Sequence, residues 1–198
     1  MSAVELEQML VDSGAMLRGH FVLSSGRHSD VYVEKFRILE QPEVLSRLCT
    51  EIANHFRESD IDIVMGPTTG GIIIAFEVAR QMGKPALYVE SEDGVKKLRR
   101  NAELPAGARV LVVDDVLTTG KSVFEVINVV EQWGGVLAGV AVLVDRSEHD
   151  LGFKVPFFGS HRVAMTSFAP DDIPEWLAAI PTSKPGTRVN FPGTTSDL

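Results

Sequence analysis

One segment in the middle of the chain constrains the fold more than any other. The apolar run 111–113 leads directly into two carboxylates, Asp114 and Asp115, and a turn of small polar residues follows. Beyond that turn, apolar residues recur from position 123 at the spacing of an amphipathic helix. A buried strand that ends in polar residues and feeds a helix is typical of an open, mostly parallel sheet, where ligands bind at the carboxyl ends of the strands.

The residue types in this segment indicate a phosphorylated sugar as the ligand. A turn of small residues before a helix leaves backbone N–H groups available, and the helix dipole favours an anion there. Neighbouring carboxylates accept hydrogen bonds from neighbouring hydroxyls. A phosphate beside a diol describes ribose 5-phosphate. The residues expected to bind it are Asp114, Asp115, Val116, Leu117, Thr118, Thr119, Gly120, Lys121 and Ser122.

Two other phosphate motifs do not match, and one structural alternative stays open. A P-loop requires a glycine five residues before the glycine of Gly-Lys-Ser, but that position is Asp115. The dinucleotide fingerprint Gly-x-Gly-x-x-Gly after a strand is also absent from the sequence. The structural alternative is that Asp114 and Asp115 only end a strand and cap the following helix.

The periodicity of the remaining chain predicts an α/β fold with a mostly parallel central sheet flanked by helices. A hairpin of two short strands is expected around the Ser-Gly turn within 19–33. Helices are expected over 4–13, 42–57, 72–81 and 123–133, and strands over 61–65, 85–89, 109–113 and 136–145.

Composition excludes several classes of function. The chain has 19 basic and 27 acidic residues, a formal net charge of −8, which argues against general nucleic-acid binding. An anionic substrate then needs a local positive site or a metal. No apolar run approaches the ~20 residues of a membrane span, and a cytoplasmic location is expected. The single cysteine, Cys49, has apolar neighbours at helical spacing and is expected to be buried.

The segment 112–122 resembles the motif with which type I phosphoribosyltransferases bind phosphoribosyl pyrophosphate (PRPP). The resemblance implies that Asp114 and Asp115 hold the ribose 2- and 3-hydroxyls and that residues 118–122 cradle the 5-phosphate. It also implies that Thr68, Thr69 and Gly70, within a loop similar to the family's pyrophosphate loop, bind the diphosphate. The implied organisation is one domain, 1–198, with a core over about 41–149, a hood from about 1–40 and 150–181, and an irregular tail over 182–198.

The N-terminal part is similar to the start of orotate phosphoribosyltransferases, which share its Phe-x-Leu-x-Ser-Gly pattern. The resemblance implies transfer of the phosphoribosyl group of PRPP to orotate, a step of pyrimidine biosynthesis, with magnesium as the cofactor. It assigns orotate binding to Ser24, Ser25, Gly26, Thr118 and Arg146. An arginine fork suits a planar carboxylate.

A basic segment is the expected catalytic lid. Lys96, Lys97, Arg99 and Arg100 place four positive charges within five residues of an acidic chain. Leu98-Arg99-Arg100 resembles the loop of the short bacterial and archaeal forms, although Ser91 stands where those carry arginine. The resemblance implies a homodimer in which the lid acts across the interface. The alternative is a solvated basic loop or helix turn.

Two other functions stay open from the sequence. One is a phosphoribosyltransferase for another nucleobase. The other is a regulator of the same fold that senses PRPP without consuming it.

Overall fold

The structure, a computed structural model, describes residues 2–23, 25–92, 94–99, 102–163 and 167–183. Three of the sequence predictions fall outside these ranges: Ser24, Arg100 and the tail beyond residue 183. The chain divides into two compact units. The first comprises residues 1–15 and 35–164, and the second comprises residues 16–34 and 165–198.

The described residues form helices and strands in the following chain order. The helices are α1 (Ala3–Asp12), α2 (Lys35–Leu39), α3 (Pro42–His55), α4 (Gly70–Met82), α5 (Lys121–Gln132) and α6 (Glu175–Ala178). The strands are β1 (Met16–Val22), β2 (His28–Val33), β3 (Ile63–Pro67), β4 (Ala86–Glu92), β5 (Val95–Leu98), β6 (Arg109–Leu117), β7 (Val136–Asp145), β8 (Phe157–Arg162), β9 (Ser167–Phe168) and β10 (Thr182–Ser183).

The first unit contains a six-stranded sheet in the order β5-β4-β3-β6-β7-β8. Only β5 pairs antiparallel within it, as the return arm of a hairpin with β4. The helices α3, α4 and α5 pack against the strands. The predicted α/β fold with a mostly parallel sheet flanked by helices is therefore confirmed.

The sheet centre is built from β-branched residues, which explains why these runs form buried strands. On one face of β6, Val110 and Val112 are buried with Val126 and Val130 of α5. The amphipathic spacing of α5 thus serves to cover the strand that precedes it. Cys49 is fully buried in α3, as predicted, and burial, followed by the nearby Glu77 charge, raises the pKa of its thiol to about 12.

Strand β6 is longer than the sequence pattern predicted. It continues to Leu117 rather than ending at residue 113, and it pairs with β7 as far as Leu117 opposite Asp145. The reason is β7, a ten-residue strand that is apolar as far as Asp145 and that supplies a ladder partner beyond the point where β6 turns polar. Asp114 and Asp115 therefore lie inside the strand and not after it.

The second unit contains a four-stranded sheet in the order β10-β1-β2-β9. The strands β1 and β2 form the predicted hairpin around the Ser-Gly turn. Thr182 and Ser183, the first residues of the tail that was expected to be irregular, pair in parallel with β1. Across the described ranges, no helix has both the length and the apolar character needed to cross a membrane.

Candidate active site

Asp114 and Asp115 lie near the carboxyl end of β6 and are almost fully buried, with exposures of 4% and 8%. Successive side chains of a strand point to opposite faces of the sheet. Asp114 accepts hydrogen bonds from the Ser122 hydroxyl and from the Asp115 N–H, the latter at 2.8 Å. Asp115 accepts one from the Val116 N–H at 2.7 Å. The two carboxylates are thus separately anchored, and Asp114 is tied to the start of α5.

Burial next to a second carboxylate changes the acidity of Asp114. Desolvation and then the Asp115 charge raise the pKa of Asp114 from its usual 3.8 to about 6. Hydrogen bonds from Ser122 and from the Asp115 backbone, together with the Lys35 charge, oppose that rise. Asp114 therefore retains its proton at a pH where an exposed aspartate has already ionised.

Asp115 faces a cation and a glycine. Its Oδ2 atom lies 2.9 Å from Nζ of Lys35, the first residue of α2. The same oxygen would lie 2.6 Å from a Cβ atom added at Gly70, the first residue of α4. A side chain at Gly70 would displace this carboxylate. Lys35, Asp115 and Gly70 therefore meet at one point, which joins the predicted sugar site to the predicted diphosphate loop.

The predicted phosphate turn connects the end of β6 to the N-terminus of α5. Thr118 and Thr119 are exposed after the end of β6. Gly120 caps α5 with a φ of 76°, a left-handed conformation that favours glycine. A Cβ atom at this position would also lie 2.8 Å from Cδ1 of Leu151. The turn therefore presents its residues at the N-terminus of a twelve-residue helix, where the dipole favours an anion.

The predicted diphosphate loop follows β3 at the same edge of the sheet. The Thr68 N–H donates a hydrogen bond to the Val89 carbonyl at 2.9 Å, and the Thr68–Thr69 peptide bond is cis. Thr69 is exposed, whereas Thr68 is half-buried. The loop thus has an exposed rim directly before α4, next to Asp115.

Arg146, the predicted orotate ligand, immediately follows β7. Its N–H donates to the Leu117 carbonyl at 2.8 Å, and its guanidinium Nε is buried. The preceding Asp145 is buried at 4% exposure and accepts hydrogen bonds from the N–H and hydroxyl of Ser147 at 2.9 and 2.7 Å. The turn after β7 is therefore held by hydrogen bonds, and it places Arg146 beside the end of β6.

Lys96 and Lys97 of the predicted lid lie in β5, which forms a hairpin with β4, and not in a loop or helix turn. Nζ of Lys97 lies 2.9 Å from Oε2 of Glu92, and Nη1 of Arg99 lies 2.9 Å from Oε1 of Glu90. Arg99 also donates to the Tyr88 hydroxyl at 2.5 Å. Lys96 is half-buried in β5. Two of the predicted lid cations are thus held by acidic residues of β4, the strand with which β5 pairs.

The predicted base-binding segment belongs to the second unit. Ser25 and Gly26 form the β1–β2 turn, which is closed by hydrogen bonds between Leu23 and Arg27 and from the Gly26 N–H to the Leu23 carbonyl. Gly26 has a φ of 79°, so the turn favours glycine here. Nε of Arg27 donates to the Ser167 hydroxyl at 2.8 Å, which fixes the turn to β9.

The sequence did not single out Lys35 or the glutamates that bind the lid cations. Lys35 and Asp115 lie far apart in the sequence, so no local spacing could indicate that they are in contact. Glu90 and Glu92 alternate with Ser91 along β4. That spacing would have indicated a shared strand face if the basic segment had been recognised as a partner strand.

The chain is similar to known proteins of one family. Residues 37–152 match the family model described as "Phosphoribosyl transferase domain". A relative from Caldanaerobacter subterraneus subsp. tengcongensis, named orotate phosphoribosyltransferase, is 46% identical over 171 residues, which is 86% of this chain and 90% of that protein. One of the same name from Pelotomaculum thermopropionicum is 45% identical over 190 residues, 95% of this chain and 99% of that protein.

The fold also matches solved structures. The crystal structure of orotate phosphoribosyltransferase from Aeropyrum pernix superposes with a TM-score of 0.66 at 34% sequence identity. The match covers 80% of this chain and 93% of that one.

Proposed function

This chain belongs to the phosphoribosyl transferase domain family and, within it, to the orotate phosphoribosyltransferases, and from that membership we propose that it joins orotate to C1 of PRPP and releases pyrophosphate. The observation that carries the proposal is the edge of the sheet after β6. There a buried pair of carboxylates lies near the carboxyl end of β6, an exposed turn leads from β6 to α5, and an arginine follows the neighbouring strand β7.

Each part of PRPP is assigned to one part of this edge. The 5-phosphate binds the turn over 118–122, where backbone groups and the α5 dipole favour an anion. Asp114 and Asp115 accept hydrogen bonds from the ribose 2- and 3-hydroxyls. The diphosphate lies against Thr68, Thr69 and Gly70. Because Gly70 lies close to Asp115, the diol and the diphosphate of one PRPP molecule are within reach of these two sites together.

Orotate is assigned to the turn after β7. The Arg146 guanidinium offers paired donors to the orotate carboxylate. Thr118, exposed after β6, directly follows Leu117, whose carbonyl accepts the hydrogen bond from the Arg146 N–H. The assignment of Ser24, Ser25 and Gly26 to the base rests on the resemblance of the β1–β2 turn to the corresponding segment of the family.

Catalysis in this proposal requires positioning and electrostatic stabilisation rather than a protein nucleophile. As the bond from C1 to the diphosphate weakens, positive charge grows on the ribose ring. The Asp114–Asp115 pair holds the ribose hydroxyls, and its negative charge stabilises the ring as that charge develops. Binding both substrates at one sheet edge turns the encounter of C1 with the orotate nitrogen into a step within one complex.

The donor set at this edge fits a magnesium ion that arrives with the diphosphate. Magnesium is usually held by one or two carboxylates together with substrate phosphates. In this structure Oδ2 of Asp115 already forms an ion pair with the Lys35 ammonium. Asp114 and Asp115 are the residues that would hold the ion, directly or through the ribose hydroxyls. Its chemical contribution would be to neutralise charge on the leaving diphosphate.

The lid and a homodimer complete the proposal. Lys96, Lys97, Arg99 and Arg100 supply positive charge for the diphosphate, and as in the family they do so across a dimer interface. Exposed apolar side chains of the first unit support such association: Phe36 of α2 is 59% exposed, and Ile73 and Phe76 of α4 are 42% and 63% exposed. Ile73 and Phe76 are three positions apart and share one face of α4, and grouped exposed apolar side chains are typical of an association surface.

The experiment that tests the function follows the absorbance of orotate with purified protein, PRPP and magnesium. Loss of absorbance that requires both PRPP and magnesium is the expected result. Binding of PRPP without loss of orotate would contradict the orotate assignment and direct the assay to other nucleobases. A protein that fails to bind PRPP at all would contradict the whole proposal.

A further inference from the structure

Asp145 ends β7 at a point where three strands meet. In the sheet it lies opposite Leu117 of β6 and opposite Arg162 of β8. Its carbonyl accepts a hydrogen bond from the Val163 N–H at 2.9 Å, and its side chain is only 6% exposed. The backbone of Asp145 is therefore held from both sides, directly before Arg146, the residue assigned to orotate.

The carboxylate of Asp145 closes the turn around Arg146. Its Oδ1 atom accepts hydrogen bonds from the N–H of Ser147 at 2.9 Å and from the hydroxyl of Ser147 at 2.7 Å. The N–H of Arg146 itself donates to the Leu117 carbonyl at 2.8 Å. Arg146 therefore lies between two residues that one carboxylate oxygen joins, and its own backbone is bound to β6.

Strand β8 leaves room for the Asp145 side chain. A Cβ atom added at Gly159 would lie 2.8 Å from Cβ of Asp145. That distance is well inside the about 3.5–4.0 Å at which carbon atoms pack. Any larger residue at position 159 would therefore press on Asp145, and the glycine allows its carboxylate to stay within reach of Ser147.

The contacts of this carboxylate serve the turn more than they serve charge pairing. Oδ2 of Asp145 lies 3.8 Å from Nε of Arg162, beyond hydrogen-bond distance, and the Arg162 side chain is 72% exposed. A long, exposed pair of this kind contributes little to folding. The contacts with Ser147, in contrast, are of hydrogen-bond length, so the main effect of the carboxylate falls on the turn that carries Arg146.

We propose that Asp145 is a positioning residue for Arg146: its carboxylate holds the turn in the geometry in which the guanidinium meets the orotate carboxylate. Asp145 thereby sets the affinity for orotate and not for PRPP. This inference rests on the proposed function, because it takes orotate as the ligand of Arg146. A paired guanidinium–carboxylate contact requires a fixed orientation of both groups, so a loosened turn weakens the contact although every group that touches orotate is still present.

A purely structural role for Asp145 leads to a different expectation. If its carboxylate only stabilised the packing of β7 against β8, its loss would lower the free energy of unfolding. The KM values for orotate and PRPP would then stay unchanged or change alike. A positioning role predicts a rise in KM for orotate alone, and no further rise once Arg146 has been removed.

The test is steady-state kinetics of Asp145→Ala, Asp145→Asn, Arg146→Ala and the double variant Asp145→Ala/Arg146→Ala. We expect Asp145→Ala to raise KM for orotate roughly fivefold or more and to leave KM for PRPP within about twofold, since displacing a group that positions one substrate weakens that contact. Asp145→Asn keeps an oxygen that accepts from Ser147 and should restore most of the affinity. The double variant should be no worse than Arg146→Ala, because residues that act through one contact are not additive.

Ser147→Ala provides a variant that does not empty a buried position. It removes the hydroxyl donor from the same carboxylate oxygen and should also raise KM for orotate, so the proposal is tested even if Asp145→Ala does not fold. The matched control is Arg162→Ala, which removes the exposed neighbour of the carboxylate and should behave as the wild type.

Amide hydrogen exchange, followed by NMR without substrate, tests the turn itself. The N–H groups of Arg146 and Ser147 are hydrogen-bonded in the wild type, and loss of the carboxylate should speed their exchange. An unchanged KM for orotate in Asp145→Ala and Ser147→Ala, an equal rise in both KM values, or single losses that multiply in the double variant would each overturn the proposal.

Failure of the proposed function would be recognised separately, as wild-type protein that does not consume orotate. The exchange comparison involves no substrate. Unchanged exchange of these two amides in Asp145→Ala would therefore overturn the positioning role of Asp145 in either case.

Discussion

Ser122 donates a hydrogen bond to Asp114, and this contact ties the first turn of α5 to the buried end of β6. The phosphate turn lies between these two residues, so the hydrogen bond that joins them holds both ends of the turn together. Asp114 keeps its neighbour Asp115 in place as well, through the Asp115 N–H at 2.8 Å. The predicted sugar and phosphate sites are therefore one unit, and a change at either carboxylate is expected to affect PRPP more than the fold.

Asp115→Asn should preserve the fold and impair catalysis. The substitution keeps the side-chain shape but removes the negative charge. That charge pairs with Lys35 and, in the proposed site, strengthens the hydrogen bonds that the carboxylate accepts from the ribose hydroxyls. We expect kcat/KM for PRPP to fall roughly 10- to 100-fold, the range for loss of a charged hydrogen-bond acceptor. Circular dichroism checks the fold. Asp60→Asn, at a side chain that is 83% exposed, is the matched control, and equal kinetics in both variants would contradict the assignment.

Asp114 should lower stability as the pH rises. Its pKa is about 6 in the folded protein against an ordinary value of 3.8. Below about pH 4 the carboxyl group of Asp114 is protonated in both the folded and the unfolded protein, so the free energy of unfolding does not change with pH because of this group. Between about pH 4 and 6 the unfolded chain releases its proton while the folded protein keeps it, so the free energy of unfolding decreases as the pH rises.

Asp114→Asn removes this dependence. Relative to the wild type, the variant should gain on the order of 2 kcal/mol in free energy of unfolding between pH 4 and pH 8, although it should lose activity. Urea denaturation at the two pH values measures the difference. A constant difference between variant and wild type would show that the Asp114 pKa is not raised.

Arg146→Ala should weaken orotate binding selectively. Arg146 is held beside Leu117 by its backbone N–H, so the substitution removes the guanidinium without moving the turn. We expect KM for orotate to rise roughly tenfold or more, as for loss of a charge-assisted contact to a carboxylate, while KM for PRPP changes little. Arg162→Ala, at a side chain that is 72% exposed and lies 3.8 Å from Asp145, is the control and should leave both constants unchanged.

Phe76→Glu should prevent self-association. The Phe76 side chain is 63% exposed on α4, and a glutamate there would place a charge within the proposed dimer surface. Sedimentation velocity should show a dimer for the wild type and a monomer for the variant. A wild-type protein that is monomeric at micromolar concentration, or a variant that remains dimeric, would contradict the proposed surface.

The parts of the fold that follow local patterns were predictable, and those that depend on distant partners were not. The apolar run of β7 predicted its bounds at 136–145, which the structure reproduces. The extension of β6 to Leu117 depends on pairing with β7. It could not be predicted from the polar residues Asp114 and Asp115 themselves, because strand propensity depends on the neighbouring strands.

The same distinction applies to the candidate site. The Asp114–Asp115 pair and the turn after it form a continuous segment, so residue types alone indicated a ligand. Lys35 reaches Asp115 only through the fold. The basic segment was recognised by its charge, but its strand conformation depends on β4, whose acidic side chains bind Lys97 and Arg99.

Arg99→Ala should lower activity with little effect on stability. The Arg99–Glu90 pair joins side chains that are 54% and 44% exposed, and exposed pairs contribute only about 0–1 kcal/mol to folding. If the lid brings Arg99 to the diphosphate, kcat/KM for PRPP should fall roughly tenfold or more, while the free energy of unfolding stays within about 1 kcal/mol of the wild type. Glu90→Gln provides the complementary measurement, because it releases the same arginine from its ion pair and keeps the charge that the diphosphate needs. We expect it to leave kcat/KM for PRPP unchanged or to raise it. A parallel loss of activity in Arg99→Ala and Glu90→Gln would instead mean that the ion pair itself is required, and that Arg99 serves the hairpin and not the substrate.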